Sequence, residues 1–423
     1  MCRAPAMVVV AWLARPVMAA AAALLAGLLA VSRPRAPAVP LVNLTALALG
    51  DAAELAVLKH ATRSLGVFRV VGHGVDGASV INASKALFAL PLDAKLATSA
   101  SAAGGAFQRG YIPLGSESGL ADYFEVKEGF CYGHAWGKGE YPKGGWPNNL
   151  TGANSWPDEM HGLGGGWRAT LEGFFDASAR LAARLAAELP RALGHRALGQ
   201  QPPQPPPQQR PPPQRPAQLG TAAPAGVGAA EGSGAEGAAD WAALCEGGEP
   251  ISIMRLFHYF AATHRPELAA ATPRTGSSPH TDWHMLTVIL QDQQGGLQVL
   301  GQGGSWIDVP AIQGELTILL GDYLHWLSAG ETVSPIHRVL LPPAEAERYS
   351  FTYFAYPSYA ARVPPDVARR AAWRRRRRRR RGVPSINTLT AEGAQGERML
   401  TERPFGEILE DKWRGVASNK LAG

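Results

Sequence analysis

Cysteine is scarce in this chain. Cys2, Cys131 and Cys245 are the only three in 423 residues, far apart and odd in number. That leaves no CxxC zinc pattern and argues against a disulfide framework, so stability must come from a packed core. Dispersed positive charge is missing too. The net charge is +6, yet Arg374 to Arg381 is an unbroken run of eight arginines, and without it the balance is −2. The high isoelectric point is therefore a local feature, and a nucleic-acid partner is not expected. Acidic residues are absent from the first 36 positions, where Arg3, Arg15, Arg33 and Arg35 flank two apolar runs. The longer, VMAAAAALLAGLLAV, has 15 residues, short for a membrane span and about right for a signal h-region. Residues 1–38 are expected to be a targeting or signal-like segment. Organelle import (plastid or mitochondrion) and a secretory signal or membrane anchor remain open alternatives. Sequons at Asn43, Asn82 and Asn149 fit the secretory one.

Composition divides the rest. Residues 39–198 read as globular: LGDAAELAVLKHATRSLG has the pattern of an amphipathic helix, VFRVVGHGV that of a strand ending in a glycine turn, and GWRATLEGFFDASARLAARLAAELPRAL that of a long helix. Residues 199–247 are a low-complexity insertion that begins QQPPQPPPQQRPPPQRP. Its prolines cannot donate to a helix or a sheet, and its few large apolar side chains cannot make a core. Residues 248–362 carry short strand-like runs in close succession: PISIMRLFHYF, HMLTVILQD, GGLQVLG, SWIDVP, ELTILLGDYLHWL, IHRVLL and RYSFTYFAYP. With no helical period between them, they predict a barrel or jelly roll and not a parallel βαβ sheet. Residues 363–398 hold the arginine run, read as a charged, self-repelling loop insertion in preference to a patch for RNA or anionic lipid. Residues 399–423, with ERPFGEILEDKW, predict one closing helix.

The polar residues of the β region suggest a metal. His280 and Asp282 stand at i and i+2 in PHTDWHMLTVILQD, which in a strand puts both on one face. His337 follows 55 residues after Asp282, at the start of IHRVLL. Two imidazoles and one carboxylate make the facial triad of non-haem Fe(II) oxygenases. Arg348 and Ser350 form an RxS pair 11 residues beyond His337. A guanidinium grips a carboxylate through paired donors and the serine adds another. Tyr259 in RLFHYF is placed to add a phenol.

This pattern resembles the plant- and fungal-type 2-oxoglutarate/Fe(II) dioxygenases, the isopenicillin N synthase-like group. The segments that carry it are HTDWHMLTVILQD, GGLQVLGQGGSWIDVP, GELTILLGDYLHWLSAG, SPIHRVLL and ERYSFTYFAYP, with VFRVVGHGV, RGYIPLGSES, DYFEVKEGF and NSWP in the N-terminal half. The resemblance spans about residues 39–198 and 248–362. It implies a mainly β fold with α elements: a double-stranded β-helix (jelly roll) core and a helical N-terminal domain. It implies His280, Asp282 and His337 as iron ligands, with Arg348, Ser350 and Tyr259 binding 2-oxoglutarate. O2 is the co-substrate, ascorbate is a further candidate, and the organic substrate is a small molecule. Phe124, Trp283 and Phe354 are candidates for the substrate wall, and no separate catalytic side chain is assigned.

Two positions depart from the family. Phe257 stands where asparagine is usual, two residues before the tyrosine. His284 stands where glycine usually follows HTDW, and is read as a surface histidine ahead of a place at the pocket entrance or a role on substrate. His73, His258 and His325 are expected to be structural. Two other readings remain: a non-haem iron oxidase that does not consume 2-oxoglutarate, and an inactive scaffold that binds partners through its Pro-rich and Arg-rich insertions.

Overall fold

The structure, a computed structural model, describes residues 38–99, 109–116, 120, 122–134, 150, 153–157, 163, 166–194, 241–246, 251–261, 263–264, 273–343, 345–380 and 394–418. The targeting segment expected up to residue 38 and the Pro-rich stretch 199–240 lie outside the described residues, save Ala38.

The first strand, β1 (Leu41–Asn43), leads into α1 (Leu44–Ala48) and α2 (Ala52–Ser64). Asn43 Oδ1 accepts the Thr45 and Ala46 amides, and Asp51 Oδ1 accepts those of Ala53 and Glu54. Both helices thus start on polar caps that satisfy otherwise orphaned donors. Then come β2 (Val67–Val71), α3 (Gly77–Phe88), α4 (Leu92–Ala97), β3 (Gly110–Ile112), β4 (Phe124–Glu125) and β5 (Lys127–Gly133). Next are the long α5 (Trp167–Leu193) and the short α6 (Trp241–Glu246). The remaining strands are β6 (Ile253–Tyr259), β7 (Arg274–Thr275), β8 (Ser277–His280), β9 (Leu286–Gln291), β10 (Leu297–Leu300), β11 (Trp306–Asp308) and β12 (Leu316–Leu320). After α7 (Asp322–Leu327) come β13 (His337–Val339) and β14 (Arg348–Ala355), and α8 (Pro365–Arg380), α9 (Ala394–Glu402) and α10 (Phe405–Ser418) follow.

The strands form a large sheet in the order β1-β2-β12-β9-β14-β6-β5-β3, a smaller one in the order β11-β10-β13-β8, and the pair β4-β7. The architecture is mixed α/β, and the two main sheets are consistent with a jelly-roll core. Strands β1, β2, β3 and β5 of the N-terminal half belong to the same sheet as β6, β9, β12 and β14, and residues 39–423 cluster as one unit.

The central strands are buried on both faces, and the two faces differ in chemistry. On β14, Phe351, Tyr353 and Ala355 join the main apolar core, which also holds Leu171, Phe174, Leu181, Leu185 and Leu189 of α5. Fully burying each such large side chain contributes about 1.5–3 kcal/mol. The alternate residues Arg348, Ser350, Thr352 and Phe354 line a cavity on the other side. Strand β6 repeats the pattern, with Met254 and Leu256 in the core and Arg255, Phe257 and Tyr259 on the cavity. So does β9, with Leu286, Val288 and Leu290 against Thr287 and Ile289. The two-residue period of a strand delivers polar groups to one interior and apolar groups to the other.

Four expectations need correction. The run ELTILLGDYLHWL is a strand only as far as Leu320; Asp322–Leu327 is the helix α7, whose Tyr323 and Trp326 are buried. The arginine run is not a loop over its described part but the helix α8. Ala368, Ala371 and Ala372 bury its inner face, and Arg374 Nη1 reaches Glu331 Oε1 at 3.0 Å. Successive helical residues point about 100° apart, which separates charges that a loop would leave adjacent. Where one closing helix was expected, the described residues end in two, α9 and α10. The last residues of the expected 199–247 insertion form α6, and Trp241 is buried in the main core. No helix among the described residues is long and apolar enough to cross a membrane.

Candidate active site

His280 ends β8 and His337 opens β13, and the antiparallel register sets the two directly opposite each other. Their rings lie 4.3 Å apart between centroids. Each Nδ1–H donates to a backbone carbonyl two residues earlier, His280 to Ser278 at 2.7 Å and His337 to Pro335 at 3.1 Å. Those bonds select the tautomer that leaves Nε2 with a free lone pair. The Nε2 atoms stand 3.8 and 3.7 Å from Asp282 Oδ1. All three ligand atoms lie within 4.8 Å of one another.

Asp282 is not in the strand that holds His280, as the i, i+2 spacing predicted. β8 stops at His280, and Asp282 lies in the turn before β9. That turn is tied to the start of α7: Asp322 N–H donates to the Asp282 carbonyl at 2.8 Å, and Gly321 N–H to the Met285 carbonyl at 2.9 Å.

The electrostatics suit a cation. Burial pushes His337 down to about 4, helped by His280, so it is a neutral donor at ordinary pH. Burial alone would raise Asp282, but His337, His284 and His280 with the Thr287 hydroxyl outweigh it and hold the carboxyl below its usual range. A buried carboxylate with two imidazole nitrogens is the nitrogen–oxygen donor set of non-haem Fe(II) sites. These residues fit that metal.

Arg348 is 1% exposed on the same wall. Its Nε donates to Gly295 O at 2.6 Å and its Nη2 to Gln291 Oε1 at 2.9 Å. Nη1 is buried with no partner among the described residues. Two anchored nitrogens and one unsatisfied donor match a carboxylate ligand, because leaving a charged donor buried and unmet is costly. Tyr259 pairs with Arg348 across the strands, and the guanidinium sits 4.7 Å over its ring. Ser350 is two residues along, on the same cavity wall. The residues fit a dicarboxylic keto acid.

The cavity measures about 1120 Å³ with its open mouth, and it brings together His280, Asp282, His337, Arg348, Ser350, Tyr259, Trp283 and Phe354. Phe124 is elsewhere, in a small apolar group with Val126, Leu114, Phe260 and Leu341. His284 is not a surface residue. It is 2% exposed, lines the cavity, and burial pushes it down to about 4. Phe257 also lines the cavity, with the Lys127 ammonium 5.1 Å and the Arg255 guanidinium 5.0 Å from its ring. His258 bonds Glu128 at 2.8 Å, His325 the Thr332 carbonyl at 2.6 Å and His73 the Gly314 carbonyl at 3.0 Å, the structural roles expected of them.

Tyr356 lines the cavity too, and so do Lys127, Arg255, Thr287, Thr352 and Trp413, for which the sequence offered no assignment. The period of β6 contained the signal for Arg255, which shares a face with Phe257 and Tyr259. Trp413 comes from α10, with no local pattern to announce it.

Known proteins bear on the same residues. Residues 39–159 match the N-terminal region described for non-haem dioxygenases in morphine synthesis, and residues 250–357 match the 2OG-Fe(II) oxygenase superfamily. A 2-oxoglutarate-dependent dioxygenase of Didymella fabae is 36% identical over 107 residues, 25% of this chain and 32% of that protein. This chain thus spans about a third of that relative's length. The 2-oxoglutarate-dependent dioxygenase citB of Monascus ruber is 28% identical over 315 residues, 72% of this chain and 79% of that protein. A full-length Neurospora crassa protein, solved in complex with alpha-KG, shares the fold at TM-score 0.58 and 19% identity, over 89% of this chain and 96% of that one. With residues 39–159 and 250–357 matched by these two models and the triad gathered in one cavity, the chain belongs to the 2OG-Fe(II) oxygenase superfamily.

Proposed function

We propose that this protein is an Fe(II)- and 2-oxoglutarate-dependent dioxygenase that oxidises a small organic molecule, usually by hydroxylation. The observation that carries the reading is the meeting, in one cavity, of three metal-competent ligand atoms and an unsatisfied donor on Arg348. In this reading His280, Asp282 and His337 hold Fe(II), and Arg348 binds the distal carboxylate of 2-oxoglutarate, flanked by Ser350 and Tyr259. When bound, the metal and keto acid supply the oxidising chemistry with O2, and the keto acid leaves as succinate and CO2. The protein supplies ligands, orientation and a shielded pocket. Trp283 and Phe354 give that pocket an apolar wall for the organic substrate. The jelly roll then corresponds to residues 248–362 and a helix-rich N-terminal region to 39–198, a division supported by the two separate family matches.

The test is anaerobic addition of Fe(II) and 2-oxoglutarate, read by the weak visible charge-transfer band of a metal-chelated keto acid. The expected result is a band in wild type and none in His280→Ala, followed by succinate release when O2 and a substrate are supplied. Metal uptake with no band on adding 2-oxoglutarate would reject the co-substrate. No metal uptake would reject the enzyme.

A further inference from the structure

The two oxygens of Asp282 face different neighbours. Oδ1 looks toward the Nε2 atoms of His280 and His337, 3.8 and 3.7 Å away. Oδ2 accepts the hydroxyl hydrogen of Thr287 and lies 3.8 Å from Nε2 of His284. Thr287 Oγ1 is itself 3.3 Å from that His284 Nε2. A hydroxyl has one hydrogen, and the carboxylate takes it. Its lone pairs can then accept an N–H from His284. The result is a short chain of donors, His284 to Thr287 to Asp282, ending on the oxygen that does not face the two imidazoles.

We infer that His284 is a positioning residue for the candidate metal centre, acting through Thr287 to hold the Asp282 carboxylate with one oxygen presented and the other engaged. This rests on the iron site proposed above. The placement of His284 supports the assignment. The ring is held edge-on between Phe354 and Tyr356, at 5.0 and 5.3 Å between centroids. Its main chain is held as well: Gly321 packs so closely that an added Cβ would come within 1.9 Å of the His284 carbonyl oxygen, and the Gly321 and Asp322 amides bond the Met285 and Asp282 carbonyls on either side. Ring and main chain are both constrained, and a hydrogen-bonded group constrained in this way orients its partner. A carboxylate restrained on one oxygen is presented through the other, which leaves room on the metal for the keto acid. The resembled family usually carries glycine here, so this restraint is a property of this chain.

The test compares wild type with His284→Phe, which keeps a ring and loses the donor, His284→Gln, which keeps an N–H, and Thr287→Val, which keeps the shape and loses the hydroxyl. Mn(II) affinity is measured by chelator competition, and the absorption spectrum of the Co(II) protein reports coordination. Second-sphere losses typically cost about 10- to 100-fold in metal affinity. The expected result is a loss of that size in His284→Phe and Thr287→Val, an altered Co(II) spectrum in both, and substantial rescue in His284→Gln. The double variant His284→Phe/Thr287→Val should be no weaker than the worse single one, because both break the same chain. Wild-type affinity and an unchanged spectrum in folded His284→Phe, or in Thr287→Val, would overturn the assignment and leave the metal centre standing. A wild-type protein that takes up neither Mn(II) nor Co(II) would overturn both.

Discussion

The guanidinium of Arg348 has three nitrogens and two partners within the described residues, and the third nitrogen is the informative one. Arg348→Met removes a charged donor to a carboxylate, a bond worth about 1.5–3 kcal/mol. The KM for 2-oxoglutarate should rise about 10- to 100-fold while Mn(II) affinity holds, measured by succinate release and chelator competition. Arg348→Lys should recover little, since an ammonium cannot reproduce the fork that reaches Gly295 and Gln291 together. This residue was legible because an RxS pair at strand spacing must point to one side. His284 was not: a histidine after a turn carries no periodic signal, and its burial follows from the packing of Phe354, Tyr356 and Gly321 around it. Phe124 sits in β4 beside Glu125; the strand alternation sends Glu125 to the cavity and Phe124 to the small apolar group with Val126.

At the scale of elements, strands were read well and short helices poorly. The central strands are covered on both faces, so their apolar runs stand out between turn residues. GDYLHWL is just as apolar, yet after Gly321, in extended backbone, it folds as α7 with Tyr323 and Trp326 buried. The stretch just before the arginine run carried a helix signal, alanines at 368, 371 and 372 on one face, which the charge that follows masked. The β12–α7 junction also yields a prediction. Gly321→Ala forces a methyl against the His284 carbonyl oxygen, 1.9 Å away. Such overpacking costs about 1–3 kcal/mol, and because the displaced turn carries Asp282, Mn(II) affinity should fall with the melting temperature. Gly173→Ala is the contrasting case. This glycine lies inside α5 with nothing within 4 Å of the new methyl. Alanine relieves the entropic cost of a helical glycine, so thermal unfolding should show a gain of about 0.5–1 kcal/mol with unchanged metal binding.

At the scale of the whole molecule, distant parts of the chain meet at the cavity, and buried histidines inside and outside it give the fold a dependence on pH. Trp413, from the last helix, packs edge-on to Trp283 at 5.4 Å. Trp413→Ala should therefore raise the KM of the organic substrate about 10-fold without changing Mn(II) affinity. The pH response comes from His284, His325 and His337, each held at about 4 against an ordinary 6.5, first by burial. In the unfolded chain these imidazoles take up protons near 6.5, and in the folded protein only near 4. Between those values the unfolded state binds more protons, so stability falls as pH falls. It is complete above about 6.5 and lost progressively toward 4. Melting temperatures of the metal-free protein from pH 8 to 4 should trace that slope. His325 separates this effect from the metal site, because it lies in α7 bonded to the Thr332 carbonyl, with Arg378 and Arg375 of α8 adding to the suppression of its charge. His325→Gln should flatten the slope and leave Mn(II) affinity intact. Arg378→Gln removes one repelling cation, so the pKa of His325 should climb from about 4 toward its ordinary value and its share of the slope should shrink. An unchanged slope in His325→Gln would mean that His325 does not contribute to the acid loss; an unchanged slope in Arg378→Gln alone would mean that burial, without the arginines of α8, sets its charge.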